Sequence, residues 1–346
     1  MISIAMATYN GERFLKQQLD SLSNQVQMPS ELVVCDDVST DGTVEIIKRF
    51  SETAPFPVRL YFNSNRLGYR ENFLKAASLC TSDCIAFCDQ DDIWLKDKIS
   101  VVSRYMTETD CTLLQHRYRL IDDNGNVISG DMNYDFVKRH APWRHSGGLA
   151  QVFRRSLLNY LELWQLSKDH NVDDDKMAHD QWIFFLSFVL GKTIYVEDVL
   201  SLYRQHSGNV VGFDQPLRSS RPIDLKGTLL VNASRMYGSG TEFKIKRDEV
   251  IWIIRHRVEA AAARAEIIRQ LMARLSDNQA NGLQIHLQFY REAEKYWSGR
   301  LSAFVSATKG ERLRAMLSVF GQGLYRAQGR QGIRDAAVDM MYGVMY

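Results

Sequence analysis

Residues 2–89 alternate between short apolar runs and longer amphipathic segments, and this alternation limits the fold more than any other feature of the chain. Strands are predicted for residues 2–8, 31–37, 58–62 and 84–89, with helices for residues 12–25, 43–50 and 71–80 between them. Strands joined by helices favour crossover connections, which give a mostly parallel sheet covered by helices on both faces. The sequence therefore predicts an α/β fold.

Beyond residue 112 the pattern is less regular and ends at a polar boundary. Further strands are predicted for residues 113–121 and 193–202, and helices for residues 153–163, residues 179–190 and a segment starting near Trp94. A stretch rich in Pro, Ser and Arg at residues 216–222 interrupts the pattern, and the chain after it has mostly helical periodicity. We therefore predict an α/β domain over residues 1–215 and a helical domain over residues 216–346.

Composition and charge exclude several classes of protein. The chain has 43 Lys and Arg against 41 Asp and Glu, so its net charge of +2 gives no reason to expect a nucleic-acid partner. The longest nearly uninterrupted apolar run, residues 182–190, is far shorter than the ~18 residues that span a bilayer. We find no basic leader with a cleavage site, and the five cysteines are an odd number. We therefore expect a cytoplasmic protein with reduced, buried thiols.

Polar and acidic residues follow each of the first four predicted strands, at the sheet edge where α/β proteins bind ligands. The sharpest of these segments is Asp89-Gln90-Asp91-Asp92, with three carboxylates in four residues. Their mutual repulsion is relieved by a hard divalent cation, and Mg²⁺ or Mn²⁺ bound there also holds a substrate diphosphate. The alternative is a solvated acidic turn that caps the helix starting near Trp94.

Glycine-rich phosphate-binding motifs are absent from the sequence. Neither the dinucleotide-binding pattern G-x-G-x-x-G nor the P-loop pattern G-x-x-x-x-G-K-[ST] occurs. A metal together with Arg or Lys must therefore carry the charge of any bound diphosphate.

Three ordered motifs resemble those of the family 2 glycosyltransferases: residues 7–12 (ATYNGE), residues 34–43 (VCDDVSTDGT) and residues 89–92 (DQDD). This resemblance covers residues 1–215 and implies the GT-A fold, a Rossmann-like sheet, a nucleotide-sugar donor and a metal bound by the D-x-D element. Residues 65–73, 89–94, 179–182 and 203–212 are similar to the bacterial branch that builds O-antigen and capsule, in which many members are rhamnosyltransferases.

The resemblance also implies roles for individual residues. Tyr9 would stack on a pyrimidine, although packing at the strand end is an alternative, and Asp37 rather than Asp36 would accept a hydrogen bond from the base. Asp92 would hold hydroxyls of the donor sugar, and Arg204 would pair with the diphosphate. The full donor-binding set is Ala7, Thr8, Tyr9, Asn10, Glu12, Asp36, Asp37, Asn65, Arg66, Asp89, Asp92 and Arg204.

The metal and the catalytic base are assigned in the same way. Asp91 would be the principal ligand of Mn²⁺ or Mg²⁺, with Asp89 facing the ribose or the metal and His206 completing the coordination shell. The alternative for His206 is a surface histidine in a hinge. Asp180 matches the family's general base, which takes the proton of the acceptor hydroxyl in an inverting transfer. The alternatives are that Asp180 only caps its helix, or that the base lies among residues 173–175 (DDD).

Processive members of the family carry a Q-x-x-R-W motif, whereas residues 151–155 read QVFRR. This departure favours the addition of one sugar or a few sugars. The leading hypothesis is a metal-dependent inverting glycosyltransferase that acts on a lipid-linked acceptor, with dTDP-L-rhamnose ahead of UDP-galactose and UDP-N-acetylglucosamine as donor. The alternatives are a sugar nucleotidyltransferase and a non-catalytic assembly scaffold.

The C-terminal segment is unusually basic. Between residues 296 and 334 there are seven basic residues and one acidic residue, with apolar side chains at helical spacing among them. Such a helix suits the anionic inner face of the cytoplasmic membrane, where each Lys or Arg contributes ~1 kcal/mol of binding. The alternative is that the apolar face packs on the catalytic domain or on a second subunit, as in a homo-oligomer.

Overall fold

The computed structural model describes residues 1–130, 147–170, 176–207, 247–324, 335–336 and 339–340. The chain divides into two compact units. The first comprises Met1–Trp164 and Met177–Leu217, and the second comprises Gln165–Lys176 and Arg218–Tyr346. The predicted boundary at residue 215 lies outside the described residues and stays a prediction.

The first unit contains one eight-stranded sheet with helices between its early strands. Its strands are β1 (Ile2–Thr8), β2 (Glu31–Asp36), β3 (Val58–Phe62), β4 (Cys84–Cys88), β5 (Ile93–Trp94), β6 (Leu113–Ile121), β7 (Gln151–Arg154) and β8 (Thr193–Arg204). Its α-helices are α1 (Glu12–Ser23), α2 (Thr43–Thr53), α3 (Tyr69–Ser78), α4 (Lys98–Glu108) and α5 (His179–Leu190).

The strand order is β3-β2-β1-β4-β7-β6-β8-β5, and the first four strands run parallel. From β7 onward the sheet becomes mixed, because β7 pairs antiparallel with both β4 and β6 while β8 runs parallel to β6. The α/β fold class is confirmed. Helix α1 buries Phe14, Leu15, Leu19 and Leu22, the face expected from its periodicity, against the apolar sheet.

Two predicted helices begin later than expected, because strands occupy their first residues. Residues 153–163 were expected to form a helix, but β7 takes residues up to Arg154 and a 3₁₀ segment follows over Arg155–Leu166. The helix expected near Trp94 is the short strand β5, which pairs with β8, and α4 begins only at Lys98. In both places a short apolar run adds to the sheet, and pairing with a distant strand overrides the local pattern. The five cysteines are buried and free, as expected.

The described part of the second unit is helical, which confirms the predicted C-terminal helical region. Its α-helices are α6 (Arg247–Met272), α7 (Asp277–Gly282), α8 (Gln284–Val305) and α9 (Lys309–Gly321). Helix α8 packs on α6 and α9, and its buried Arg300 forms ion pairs with Asp335 and Asp339 at 2.8 Å each. Among the described residues, no helix is long and apolar enough to cross a membrane.

Candidate active site

The acidic turn, residues 89–92, joins β4 to β5 at the carboxyl edge of the parallel strands. Gln90 connects this turn to the segment after β1, because its Nε2 donates to Tyr9 O (3.0 Å) and its Oε1 accepts from Tyr9 N (2.9 Å). Helix α4 begins at Lys98, well beyond the turn. The turn therefore does not cap a helix, which removes the alternative explanation for its three carboxylates.

Asp92 lies beneath this edge and is fully buried. Its Oδ1 accepts from Arg204 N at 3.0 Å, while its Oδ2 accepts no hydrogen bond from the described residues. Burial and the neighbouring charges of Asp91 and Asp89 raise the pKa of Asp92 well above its usual range. Complete burial disagrees with the predicted contact between Asp92 and donor-sugar hydroxyls.

Arg204 is also fully buried, at the end of β8. Its guanidinium donates to Asp91 O (2.8 Å), Asp122 O (3.1 Å), Asp123 O (3.0 Å) and Gln17 Oε1 (2.6 Å), and lies over the Phe14 ring at 4.6 Å. These contacts join the acidic turn, the turn after β6 and helix α1. Arg204 thus supports the site from below, in disagreement with its predicted pairing with a diphosphate.

Asp91 and His206 lie at the surface side of the same turn, partly exposed. The Nε2 of His206 is 2.9 Å from Oδ2 of Asp91, and the imidazole packs 4.8 Å from the Phe14 ring. Two of the three residues that the sequence predicts as metal ligands are therefore adjacent, although 115 positions separate them. Burial first, and then the charges of Asp91 and Asp180, raise the pKa of Asp89 to about 8.

These donors suit a divalent cation that takes further ligands from its substrate. Among the described residues, no group of three or more His, Cys, Asp or Glu side chains could hold a metal ion. Mg²⁺ commonly uses one or two carboxylates together with substrate phosphates, and carboxylate oxygens also suit Mn²⁺. The Asp91–His206 pair therefore fits a metal shared with a diphosphate and does not fit a closed structural site.

The segments after β1 and β2 hold each other through side chains that the sequence assigns to the donor. Asn10, in the left-handed region with φ 47°, accepts from Thr40 N at 2.8 Å, and Glu12 accepts from Gly42 N at 2.7 Å. Thr8 donates to Asp36 at 2.9 Å, and Asp36 is 2% exposed. These contacts make the two loops one preformed surface beside Ala7, which is 9% exposed.

Asp37 shapes the loop that carries Asn65 and Arg66. It is 2% exposed and accepts from Asn63 Nδ2 (2.8 Å), Leu67 N (2.7 Å) and Gly68 N (2.8 Å). Asn65 and Arg66 are exposed on this loop, and the Arg66 guanidinium lies 3.8 Å from the Tyr9 ring centroid. Tyr9 is only partly buried, so it does not belong to the core of the sheet, and its stacking on a base stays a prediction.

Asp180 lies in the first turn of α5. The residue preceding the helix is Ala178, so Asp180 is not the N-cap. Its Oδ1 accepts from Gln181 N at 2.8 Å, and its backbone carbonyl accepts from Gln151 Nε2 at 3.2 Å. His179, directly before it, meets the Phe87 ring at 4.7 Å, and Phe87 lies two residues before the acidic turn, so Asp180 lies near that turn. The rival residues 173–175 lie outside the described residues.

Lys98 belongs to the support of this site, and sequence reasoning missed it. Although it opens α4 and would be expected in solvent, it is fully buried. Its Nζ donates to Leu149 O (2.8 Å) and Ser201 Oγ (3.0 Å), and lies 3.7 Å from the centre of the Trp94 ring. Burial lowers the pKa of Lys98 to about 7. No periodicity signals this position, since its partners come from distant segments.

The model of the family described as Glycosyl transferase family 2 matches residues 3–162. An uncharacterized glycosyltransferase, alr2836 of Nostoc, is 26% identical over 220 residues (60% of this chain, 66% of that protein). The dTDP-rhamnosyl transferase RfbG of Shigella flexneri is 28% identical over 221 residues (60% and 73%). The abequosyltransferase RfbV of Salmonella typhimurium is 32% identical over 130 residues (34% and 39%). The chain thus spans about two thirds of the first relative's length.

Among solved structures, residues 1–349 of TarS from S. aureus, in complex with UDP-GlcNAc, resemble this fold. The TM-score is 0.52 at 16% identity, covering 86% of this chain and 91% of the TarS fragment. At that identity the likeness concerns the fold alone. It extends over both the sheet and part of the helical region, since the coverage exceeds the length of the first unit.

Proposed function

We propose that this chain is a member of glycosyl transferase family 2, whose model matches residues 3–162, and that it transfers a sugar from a nucleotide-diphosphate donor to an acceptor hydroxyl with inversion. The observation that carries the proposal is the convergence of Asp91, His206 and Asp180 at one sheet edge, beside the preformed loops after β1 and β2. The transfer needs groups that bind the diphosphate and a group that accepts a proton. This sheet edge offers Asp91 and His206 for the first role and Asp180 for the second.

The donor lies along the loops after β1 and β2. Tyr9 and Arg66 offer a stacked pair of planar groups at which a nucleobase binds, and Asn10 holds the loop beside it. Asp91 and His206, with Asp89 nearby, hold Mn²⁺ or Mg²⁺. A bound divalent cation supplies neutralisation of the charge that develops on the departing diphosphate.

The acceptor hydroxyl reaches the anomeric carbon from the side of α5. Asp180 takes its proton, and the N-terminal end of the helix stabilises the carboxylate in its ionised form. Asp92 and Arg204 do not touch substrate. They keep the acidic turn in place, because the reacting groups must be held to within a fraction of an ångström.

The donor sugar is L-rhamnose from dTDP-rhamnose. Support comes from the resemblance of residues 203–212 to the rhamnosyltransferase branch and from RfbG, whose name states that donor. The acceptor is a lipid-linked oligosaccharide of surface-polysaccharide synthesis. WfgD of Escherichia coli, 31% identical over 127 residues, is named for a diphosphoundecaprenol acceptor.

Helix α9 gives the protein a peripheral contact with the inner face of the cytoplasmic membrane. Leu313, Leu317 and Phe320 recur at helical spacing and are exposed, whereas Met316 and Val319 are buried. The apolar residues of α9 thus lie on two faces of the helix, one buried and one exposed. The exposed apolar face lies within the basic segment 296–334. Leu317→Gln should reduce flotation with anionic liposomes, while Ser318→Gln should not. If the two variants float equally, the exposed apolar residues of α9 do not bind the membrane, and the helix serves only in packing.

The reaction is tested by incubating the purified chain with a panel of nucleotide sugars and Mn²⁺, with and without EDTA. We expect dTDP-rhamnose turnover that EDTA abolishes. Asp91→Asn should remove turnover, while the matched exposed control Asp97→Asn should not. Release of pyrophosphate from a nucleoside triphosphate and a sugar phosphate would indicate the nucleotidyltransferase alternative. Absence of turnover with every donor would indicate a scaffold.

A further inference from the structure

The first turn of α5 lies against a backbone segment that leaves no room for a side chain. Gly148 stands in the 3₁₀ turn Gly148–Ala150 that precedes β7. A Cβ added to Gly148 would lie 2.5 Å from Nε2 of His179, 3.3 Å from its Cδ2 and 3.6 Å from Cβ of Asp180. The first of these distances is far inside van der Waals contact, so a methyl group at position 148 must displace the start of α5.

The His179 ring cannot simply turn away, because aromatic rings enclose its other faces. It stacks on Phe73 with ring centroids 4.0 Å apart and an interplanar angle of 22°, and it meets Phe87 edge-on at 4.7 Å. His179 is 5% exposed. The imidazole is thus held between the Gly148 backbone and two rings of the core, directly beside Asp180 in sequence.

The segment that carries Gly148 is itself anchored. The buried ammonium of Lys98 donates to Leu149 O at 2.8 Å, and Ala150 N donates to Gly147 O at 3.0 Å. Gln151 then donates to the backbone carbonyl of Asp180 at 3.2 Å. Lys98 is fully buried and its Nζ has a second acceptor, Ser201 Oγ at 3.0 Å, so the segment resists displacement and an added methyl group acts on α5.

We propose that Gly148 and His179 are positioning residues that set the location of the Asp180 carboxylate relative to the acceptor hydroxyl. This inference rests on the proposed function, in which Asp180 is the general base. A displacement of about 1 Å in a reacting group lowers turnover by up to ~10²-fold. The clash at Gly148 acts on α5 and does not touch the loops after β1 and β2, so we expect donor binding to change little.

Gly148→Ala tests the proposal, with Gly147→Ala as the matched control. A Cβ at Gly147 would meet only Leu149 Cδ2, at 3.4 Å, which the leucine can accommodate. We expect Gly148→Ala to lower kcat for transfer by about 10–100-fold and to leave the donor Kd, measured by calorimetry with Mn²⁺, within twofold. The control should keep both values. A kcat within twofold of wild type for Gly148→Ala, or an equal loss in Gly147→Ala, would overturn the proposal.

His179→Ala removes the other partner of the same contact, and it provides a second test if Gly148→Ala does not fold. It should also lower kcat with an unchanged donor Kd. In the double variant the added methyl group meets no imidazole, so the combined loss should be smaller than the product of the single losses. Multiplicative losses, or a donor Kd that rises with the fall in kcat, would refute the positioning role. Failure of the proposed function can be distinguished from failure of this proposal, because Asp180→Asn would then retain full turnover.

Discussion

Replacing Arg204 by Met removes the group that ties the acidic turn to the rest of the first unit. Methionine keeps an apolar stem against Phe14 but deletes the guanidinium hydrogen bonds to the backbone carbonyls of Asp91, Asp122 and Asp123 and to Gln17 Oε1. Hydrogen bonds that involve a charged group contribute about 1.5–3 kcal/mol each, and they are not additive. Removing one partner from a buried charged network costs about 3–5 kcal/mol, which we take as the expected loss.

The loss should be visible both in stability and in activity. For a unit of this size, 1 kcal/mol shifts Tm by about 2–4 °C, so Arg204→Met should lower Tm by roughly 6–20 °C. Metal-dependent transfer should fall as well, since the backbone of Asp91 loses its support. Calorimetry or urea denaturation followed by tryptophan fluorescence measures the first effect, and donor turnover with Mn²⁺ measures the second.

Arg13→Met is the matched control. Arg13 also lies 4.6 Å over the Phe14 ring and pairs with Asp123 at 2.6 Å, but its side chain is 62% exposed. An exposed pair of this kind contributes about 0–1 kcal/mol, so the control should lose little stability. If Arg204→Met kept the wild-type Tm and lost only donor affinity, Arg204 would contact the diphosphate, as the sequence predicted. The supporting role argued from its burial would then be refuted.

Three further predictions concern single side chains. Asp180→Asn should lower turnover by about 10²–10⁴-fold with an unchanged donor Kd, and a collapse of donor affinity would place it in the donor site instead. His206→Ala should lower Mn²⁺-dependent turnover and shift the preference towards Mg²⁺, which a metal titration identical to wild type would contradict. Burial favours a higher pKa for Glu31, but hydrogen bonds from Ser3, Thr81 and Arg59 outweigh it and lower that pKa below 4.5. Glu31→Gln should therefore lower the free energy of unfolding by about 1.5–3 kcal/mol at pH 7. The difference from wild type should shrink as pH falls below 4.5 and wild-type Glu31 protonates. Urea denaturation at several pH values measures this difference, and a difference that stays constant with pH would refute the assignment.

Local pattern was enough to predict the parallel half of the sheet. The predicted strands at residues 2–8 and 58–62 coincide with β1 and β3, and those at residues 31–37 and 84–89 run one residue beyond β2 and β4. In these segments an apolar run ends at turn-forming residues, so the information lies within a few positions of the chain. The acidic turn and the family resemblance were readable for the same reason, because their motifs are contiguous.

Pairing between distant segments had to be seen in three dimensions. The sequence places residues 153–154 of β7 in a helix, because the position of this strand between β4 and β6 depends on residues far from it in sequence. Likewise, Arg204 and Lys98 carry charges that ordinary patterning assigns to solvent, and only the folded chain supplies the partners that make their burial tolerable.

The candidate site shows the same division. From the sequence alone came the candidate groups Asp91, His206 and Asp180, through the acidic turn and the resemblance to the family's motifs. Tertiary structure decided which of the remaining groups meet solvent and which lie beneath it, as with Asp92 and Arg204. Residue type determines what a side chain can do, whereas its exposure depends on how segments more than a hundred positions apart close over it.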